Sequence, residues 1–249
     1  MFMHLKNALW FELHSHSYYS KATKIKWEGI SSPAQVVRTA KRKGLGGIAL
    51  TDHSTTKGWK EASREAEKIG IIFIPGIEID SGEGHILAYG INEIIKDNLG
   101  LMETLDRIRA QGGVSAAAHP YDIRGMGCRE LMDRADMVEV FNSLNMDRFS
   151  NWKAERRAKN LGLRMIAGSD AHTLDMIGAS RNLVPAYDMD SFLKNIKKEN
   201  NDPKKIGYAI LSEKLKQIGF KLGEPEKLFD LLSESADKGL EYVEKTKLD

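Results

Sequence analysis

The sequence predicts an α/β fold: a parallel sheet with helices outside it, whose strand count comes close to that of a closed barrel. Three observations carry this. Short apolar runs of strand length alternate with amphipathic segments of helix length over most of the chain. Glycine, proline or a polar cluster punctuates nearly every junction. Histidines and acidic residues fall where the apolar runs end, the place where a parallel barrel gathers its functional side chains.

Residues 9–13 read as the first strand, leading into His14-Ser15-His16. Ser31-Ser32-Pro33 opens a helix, with a serine cap, a proline in the first turn and an apolar stripe of Val36, Val37 and Ala40; Gly44 closes it. Residues 46–51 form a short buried strand that ends at Asp52-His53, and a helix over about 57–69 stops at Gly70. Residues 71–74 form a strand ending at Pro75-Gly76-Ile77-Glu78, and 84–89 form one with His85 near its start. A helix around 99–110 ends at Gly112-Gly113, before a strand over 114–118 that runs into His119-Pro120. The strand 137–141 ends at Asn142, and a basic helix over 146–160 ends at Gly162. The strand 163–167 leads to Gly168-Ser169-Asp170-Ala171-His172, and 179–185 form the last strand. From about residue 189 the pattern changes to helical segments broken by Gly and Pro, without histidine. The expected organisation is therefore a barrel over 1–188 and a helical C-terminal extension over 189–249 packed on it.

Hydrophobic content of 41% and charged content of 29% are ordinary for a globular chain. With 37 Lys and Arg against 35 Asp and Glu, the net charge of +2 gives no general attraction to nucleic acid or membranes, although a local basic patch is compatible with it. One cysteine, Cys128, excludes an internal disulfide, fits a reducing compartment and reads as an inert thiol. Charges interrupt every apolar run before it reaches the length of a membrane span, and the first residues lack the pattern of a signal peptide. The expected location is cytoplasmic, with no membrane partner; the oligomeric state is left open.

Six of the seven histidines (His14, His16, His53, His85, His119 and His172) lie at or near expected strand ends, as do Asp52, Glu78 and Asp170. Six imidazoles and two or three carboxylates exceed the needs of one catalytic metal, which takes about three protein ligands. A cluster of two or three divalent ions follows, with Glu78 or Asp170 as a bridge. Such a cluster suits attack on a phosphate ester by a metal-bound hydroxide, with no protein nucleophile. Glu78 in an apolar setting is costly unless it is paired or coordinates a metal. Glu139, in Val138-Glu139-Val140-Phe141, raises the same problem and is expected, like Asp52, behind the ligands.

His14-Ser15-His16, Thr51-Asp52-His53, Gly76-Ile77-Glu78, Ala118-His119-Pro120 and Ser169-Asp170-Ala171-His172, in this order, resemble the PHP (polymerase and histidinol phosphatase) family. The resemblance runs from about Phe11 to Val184. It implies a distorted (β/α)7 TIM-like barrel, a site for zinc, manganese or iron, and hydrolysis of phosphate esters. By that pattern His14, His16, Glu78 and Asp170 hold one metal, Glu78, His85 and His119 a second, and His53 and His172 a third. Where family members commonly carry a further Asp or His, this chain has Lys21, either a phosphate contact or a solvent-facing lysine. Arg124 and Arg181, shortly after His119 and His172, are candidate phosphate contacts. A small phosphorylated substrate is expected. The basic segment Lys153, Arg156, Arg157 and Lys159 keeps a nuclease acting on DNA or RNA ends open, and a non-catalytic metal-binding interaction module is the rival of another class.

Overall fold

The computed structural model describes residues 8–21, 29–199 and 201. Eight strands, β1 (Ala8–Glu12), β2 (Gly47–Leu50), β3 (Ile72–Asp80), β4 (His85–Tyr89), β5 (Val114–Ala117), β6 (Met137–Asn142), β7 (Met165–Gly168) and β8 (Asn182–Pro185), form one sheet in the order β7-β6-β5-β4-β3-β2-β1-β8. The helices are α1 (Pro33–Arg42), α2 (Trp59–Ile69), α3 (Leu101–Ala110), α4 (Arg148–Leu161) and α5 (Met189–Ile196). Ser32 and Gln35 make a capping box at the start of α1, and Gly70 ends α2 in the left-handed region at φ +67°.

The sheet is mixed, which corrects the expectation of a parallel one. β4 runs antiparallel to both β3 and β5, and β8 runs antiparallel to β1. A parallel partner needs a crossover of a dozen or so residues, and the four-residue turn from Ser81 to Gly84 permits only a hairpin. β3 is also longer than predicted. It pairs with β2 through Pro75 and with β4 from Gly76 onward, so Pro75 marks the change of partner and does not end the strand. Glu78 consequently lies within β3, not past its end.

The barrel is nearly closed, by two devices. At the end carrying the histidines, Ala171 bridges to the continuation of β1: it donates to the His14 carbonyl (3.1 Å), and its own carbonyl accepts from His16 N–H (2.9 Å). Lower down, β8 is wedged between β1 and β7, and the Asn182 side chain acts as a substitute peptide. Its Nδ2 donates to the Ala167 carbonyl (2.7 Å), and its Oδ1 accepts from the Ala167 N–H (2.9 Å). Asn201 spans the same seam, with its N–H on Met165 and its Oδ1 under Leu183 N–H.

One buried apolar cluster draws on every strand, including Phe11, Ala49, Ile74, Leu87, Ala116, Met137, Ile166 and Val184. Helix α5 belongs to it through Phe192 and Ile196, and Phe192 meets Phe11 at a ring separation of 4.7 Å. Leu193 lies against Gly90, just past the far end of β4 from His85, so α5 covers the barrel end opposite the histidines. The rest of the expected extension, 202–249, lies outside the described residues. No helix among the described residues is long and apolar enough to cross a membrane.

Asn182 is fully buried, and shortening it would strand one N–H and one C=O of β7. Asn182→Ala is expected to cost about 2–6 kcal/mol in urea unfolding, since each of the two orphaned buried groups costs roughly 1–3 kcal/mol. A midpoint within error of the parent's would show that the seam does not depend on this amide.

Candidate metal centre

Glu78 is the centre of the cluster. It is 1% exposed, and five imidazoles reach its two oxygens. His14 Nε2 (2.9 Å), His53 Nε2 (3.1 Å) and His16 Nε2 (3.3 Å) approach Oε2. His85 Nδ1 (2.8 Å) and His119 Nε2 (3.1 Å) approach Oε1. The same five rings form a circuit around it, 14–16–53–85–119–14, with neighbouring centroids 5.0–5.9 Å apart. The topology brings them together. His14 and His16 continue β1, His53 continues β2 in a bridge opposite Glu78, and His119 follows β5. His85 pairs with Asp80 in the antiparallel hairpin, and period-two alternation puts Asp80 on the same face as Glu78.

Asp170 closes the other side. Its Oδ1 lies 3.1 Å from His16 Nε2 and 3.4 Å from His14 Nε2. His14, His16, Glu78 and Asp170 present one ligand atom each, all within 4.8 Å of one another, and His53, Glu78 and His85 do the same. His172 stacks on His16 at 4.6 Å and turns its Nδ1 to the Asp170 backbone carbonyl. Two of these residues hold left-handed backbone conformations, His119 at φ +26° and Asp170 at φ +52°. Such strain persists where the surroundings over-determine it: His119 N–H is held by Glu139 Oε2 (2.9 Å), and Ala171 is locked between His14 and His16.

The donor set fits divalent cations. Among the described residues, the charged partners of Glu78 and Asp170 within ion-pair distance are imidazoles. His14 lies between two carboxylates, Nδ1 on Glu139 (2.8 Å) and Nε2 on Glu78 (2.9 Å). With its proton on Nδ1, the Nε2 lone pair faces a carboxylate oxygen, an arrangement that a cation between the two relieves. Protons substitute only in part. Burial opposes charging of His14 and His16, yet the carboxylates outweigh it and raise both, His16 to about 9. Burial and the neighbouring imidazoles push His53 down to about 3, and burial lowers His172. Glu78 and Asp170 are held well below the carboxylate range against burial by the facing histidines. Crowded imidazoles cannot all carry protons, whereas imidazole nitrogen and carboxylate oxygen together suit zinc, manganese and iron. His119 Nδ1 is also buried without a hydrogen-bond partner, 3.9 Å from Asp122 Oδ2.

Behind the cluster lie groups of unequal legibility. Glu139 takes the His14 ring and the His119 N–H, and Asn142 Nδ2 links it to Asp170. Asp52 accepts the N–H and hydroxyl of Ser17 and so fixes the loop after His16. Glu12 was not anticipated. This buried carboxylate accepts from the N–H groups of His14, Ser169 and Gly178 and from the Ser169 hydroxyl, joining the end of β1 to the segments that carry Asp170 and Arg181. Its signal was present, an acid inside Trp10-Phe11-Glu12-Leu13 with the same cost of burial that singled out Glu78. Ser20 was also missed: its hydroxyl meets His16 Nδ1 (3.2 Å) and His53 N–H (3.0 Å).

The three candidate phosphate contacts differ in placement. Arg124 is forked onto Asp122 and lies within the electrostatic reach of Asp170 and Glu78. Lys21 is exposed, with its N–H on the His53 carbonyl (3.2 Å). Arg181 turns its Nε onto the Gly178 carbonyl (3.0 Å). Burial raises the Cys128 thiol to about 12, in keeping with an inert side chain.

Residues 12–113 match the PHP domain family, and residues 148–201 match the PHP-associated family. An uncharacterized protein of Methanocaldococcus jannaschii is 36% identical over 149 residues, which cover 56% of this chain and 85% of that one. A 5'-3' exoribonuclease of Haemophilus influenzae is 31% identical over 42% of this chain and 37% of its own length. A 3',5'-nucleoside bisphosphate phosphatase of Chromobacterium violaceum is 34% identical over 32% and 27%. Among solved structures, a two-domain protein of Bacteroides vulgatus containing a predicted PHP-like metal-dependent phosphoesterase has the same fold. It superposes with a TM-score of 0.62 at 20% identity, over 79% of this chain and 65% of its own.

Gly168 is the tightest point of the support. A Cβ there would fall 1.8 Å from Glu139 Oε1 and 2.6 Å from His14 Cβ. Gly168→Ala should push Glu139 off His14 and cost about 1–3 kcal/mol through overpacking. The His14 Nδ1–H resonance, shifted downfield by its carboxylate partner, should disappear from the proton NMR spectrum. Retention of both the resonance and the unfolding midpoint would show that the site tolerates the methyl group.

Proposed function

The chain belongs to the PHP domain family, and from that premise we propose that it is a metal-dependent phosphoesterase whose imidazole–carboxylate cluster holds two or three divalent cations. The observation that carries the reading is Glu78, a buried carboxylate with five imidazoles on its two oxygens. His14, His16, Glu78 and Asp170 are proposed to hold one cation, Glu78, His85 and His119 a second, and His53 and His172 a third. Zinc, manganese and iron are the candidates. When bound, such ions bring the pKa of a water near neutrality and offset the charge that develops on the phosphate.

The chain's own residues have definable tasks. Glu139 holds the proton of His14 on Nδ1 and so reserves Nε2 for the cluster. Asn142 ties Glu139 to Asp170 so that the two carboxylates keep one spacing. Arg124, Lys21 and Arg181 are the proposed phosphate contacts. Arg124 has the best support, because Asp122 occupies its Nε and Nη2 while the guanidinium retains further donors. Lys21 supplies charge where the family commonly supplies a ligand.

Action on nucleic acid ends is the second reading, and α4 favours it. Tyr121, two residues after His119, has Lys153 Nζ 4.1 Å above its ring, and Arg156 lies 5.2 Å from the half-exposed Trp152 ring. Aromatic and cationic groups interleaved in this way suit a single strand.

Elemental analysis should find two or more divalent ions per chain. Turnover of p-nitrophenyl phosphate or of its bis-ester should follow metal loading, and the preferred ester separates monoesterase from diesterase. A chain without metal and without turnover on either would return the non-catalytic module. Glu139→Gln should weaken metal binding about 10–100-fold without removing a ligand; unchanged affinity would leave Glu139 with a structural task only.

Protons and cations compete for the same nitrogens. Asp170 and Glu78 keep His16 protonated up to about 9 in the cation-free chain, so a cation must displace its proton throughout the neutral range. Affinity should fall about tenfold per pH unit for each proton displaced as the pH is lowered. Calorimetry in buffers of different ionisation enthalpy counts those protons, and binding that releases none would remove His16 from the ligand set.

A further inference from the structure

The two loops that carry His16 and His53 lead into an open cleft of about 500 Å³ on the outer side of α2, a volume in the usual range for ligand sites. Tyr19 lines it from the first loop, three residues beyond His16, and Lys57 from the second, four residues beyond His53. The loops are tied together at the cluster itself. Ser20 Oγ meets both His16 Nδ1 and His53 N–H, and Lys21 N–H meets the His53 carbonyl.

The wall of the cleft is a cationic stripe. Lys60, Arg64 and Lys68 follow one another at spacings of four on one face of α2, Lys57 stands in the turn just before the helix, and all four are exposed. The two carboxylates in the lining are engaged elsewhere: Glu61 accepts from Ala34 N–H (3.2 Å), and Glu65 accepts from Arg38 Nη1 (3.3 Å). Glu65 is thus paired with a cation while Glu61 keeps its charge under a neutral N–H, so the cleft sets four cations against one unpaired carboxylate and is positive on balance. Its reach decides what it fits. From Lys60 to Lys68 the helix advances roughly 12 Å, and Lys57 extends the row at the turn before it, a reach too long for the single second phosphate of a small molecule and suited to several phosphates in a row. Tyr19 adds an aromatic face on which a base can stack.

We propose that this cleft is a track for the phosphate backbone of a short single-stranded oligonucleotide whose terminal ester reaches the imidazole–carboxylate cluster. The position of the ester rests on the phosphoesterase reading. The track itself does not, and binding tests it separately from turnover.

The probe is hexa-adenylate RNA with a 5'-fluorescein, followed by anisotropy over a range of sodium chloride concentrations. The full-length chain is compared with its Lys60→Glu/Arg64→Glu variant. Both changes are on an exposed face outside the cluster, and Lys57→Gln/Lys68→Gln is the milder second variant. For the parent, four neutralised phosphates give a slope of log K against log salt of about −3. The charge-reversed variant should bind roughly tenfold or more weakly, with a slope reduced by about 1.4. Its hydrolysis of p-nitrophenyl phosphate should equal the parent's. Equal affinity and slope in parent and variants would overturn the track. So would displacement of the hexamer by adenosine 3',5'-bisphosphate at an equal concentration of phosphate groups, which would make the cleft a subsite for one extra phosphate. If the parent hydrolyses no ester but hexamer binding still depends on the stripe, the phosphoesterase reading fails and the track stands.

Discussion

A carboxylate removed from water needs positive charge or hydrogen-bond donors around it, and Glu78 has both from five directions. Much of the architecture follows from that requirement. Imidazoles must arrive from β1, β2, β4 and β5, which lie side by side with β3 in the sheet order. The partner change at Pro75-Gly76 lets β3 run on past its parallel section and carry Glu78 to the level of the other strand ends. The β3–β4 hairpin then returns His85 to the same face. A regular parallel crossover would have placed a helix where that imidazole is needed.

The cluster in turn rests on buried groups behind it. Glu12 gathers N–H groups from β1 and from the segments on either side of Asp170, so one buried carboxylate fixes the relative position of His14 and Asp170. Burial raises the pKa of this carboxyl, and the hydrogen bonds from Ser169, His14 and Gly178 act against that rise. Glu139 performs the same service for His14 and His119, and Gly168 must lack a side chain for Glu139 to reach His14. Asn182 and the Ala171 bridge keep β7 against β1, without which Asp170 would leave His16. Closure of the barrel and assembly of the cluster are therefore one problem, solved by the same few polar side chains.

Much of this was legible in the residues. The apolar runs located the strands to within a few residues, because buried strands need β-branched and aliphatic side chains and their ends need Gly, Pro or polar residues. The six histidines were legible as a group because they recur at strand ends, and the structure brings them together with Glu78 and Asp170. The direction of β4 was misread because strand length carries no sign; only the four-residue turn from Ser81 to Gly84 did, and it was read as punctuation. β3 was cut short because Pro75 lacks an N–H, a loss that matters in a ladder and matters little where a strand changes partner. Ser20 and Asn182 escaped because their partners His53 and Ala167 lie 33 and 15 positions away, which no local pattern records; Glu12 did carry a local signal, an acid in an apolar run, and only its far partners Ser169 and Gly178 were hidden.

Net charge illustrates the same limit from the other side. A chain of net charge +2 looks indifferent to polyanions, yet the value averages two unlike regions. At the strand ends, carboxylates and imidazoles face inward with very little exposure, so that field is spent within the cluster. On α2 the acids Glu61 and Glu65 are bound to α1 and its start, while Lys60, Arg64 and Lys68 face solvent. Binding of charged partners responds to the field at a cleft, which low-dielectric walls concentrate, rather than to the sum over the chain. The acids of α2 thus tie it to α1, Glu61 through a backbone N–H and Glu65 through Arg38, while its cations line the same cleft and leave it positive on balance.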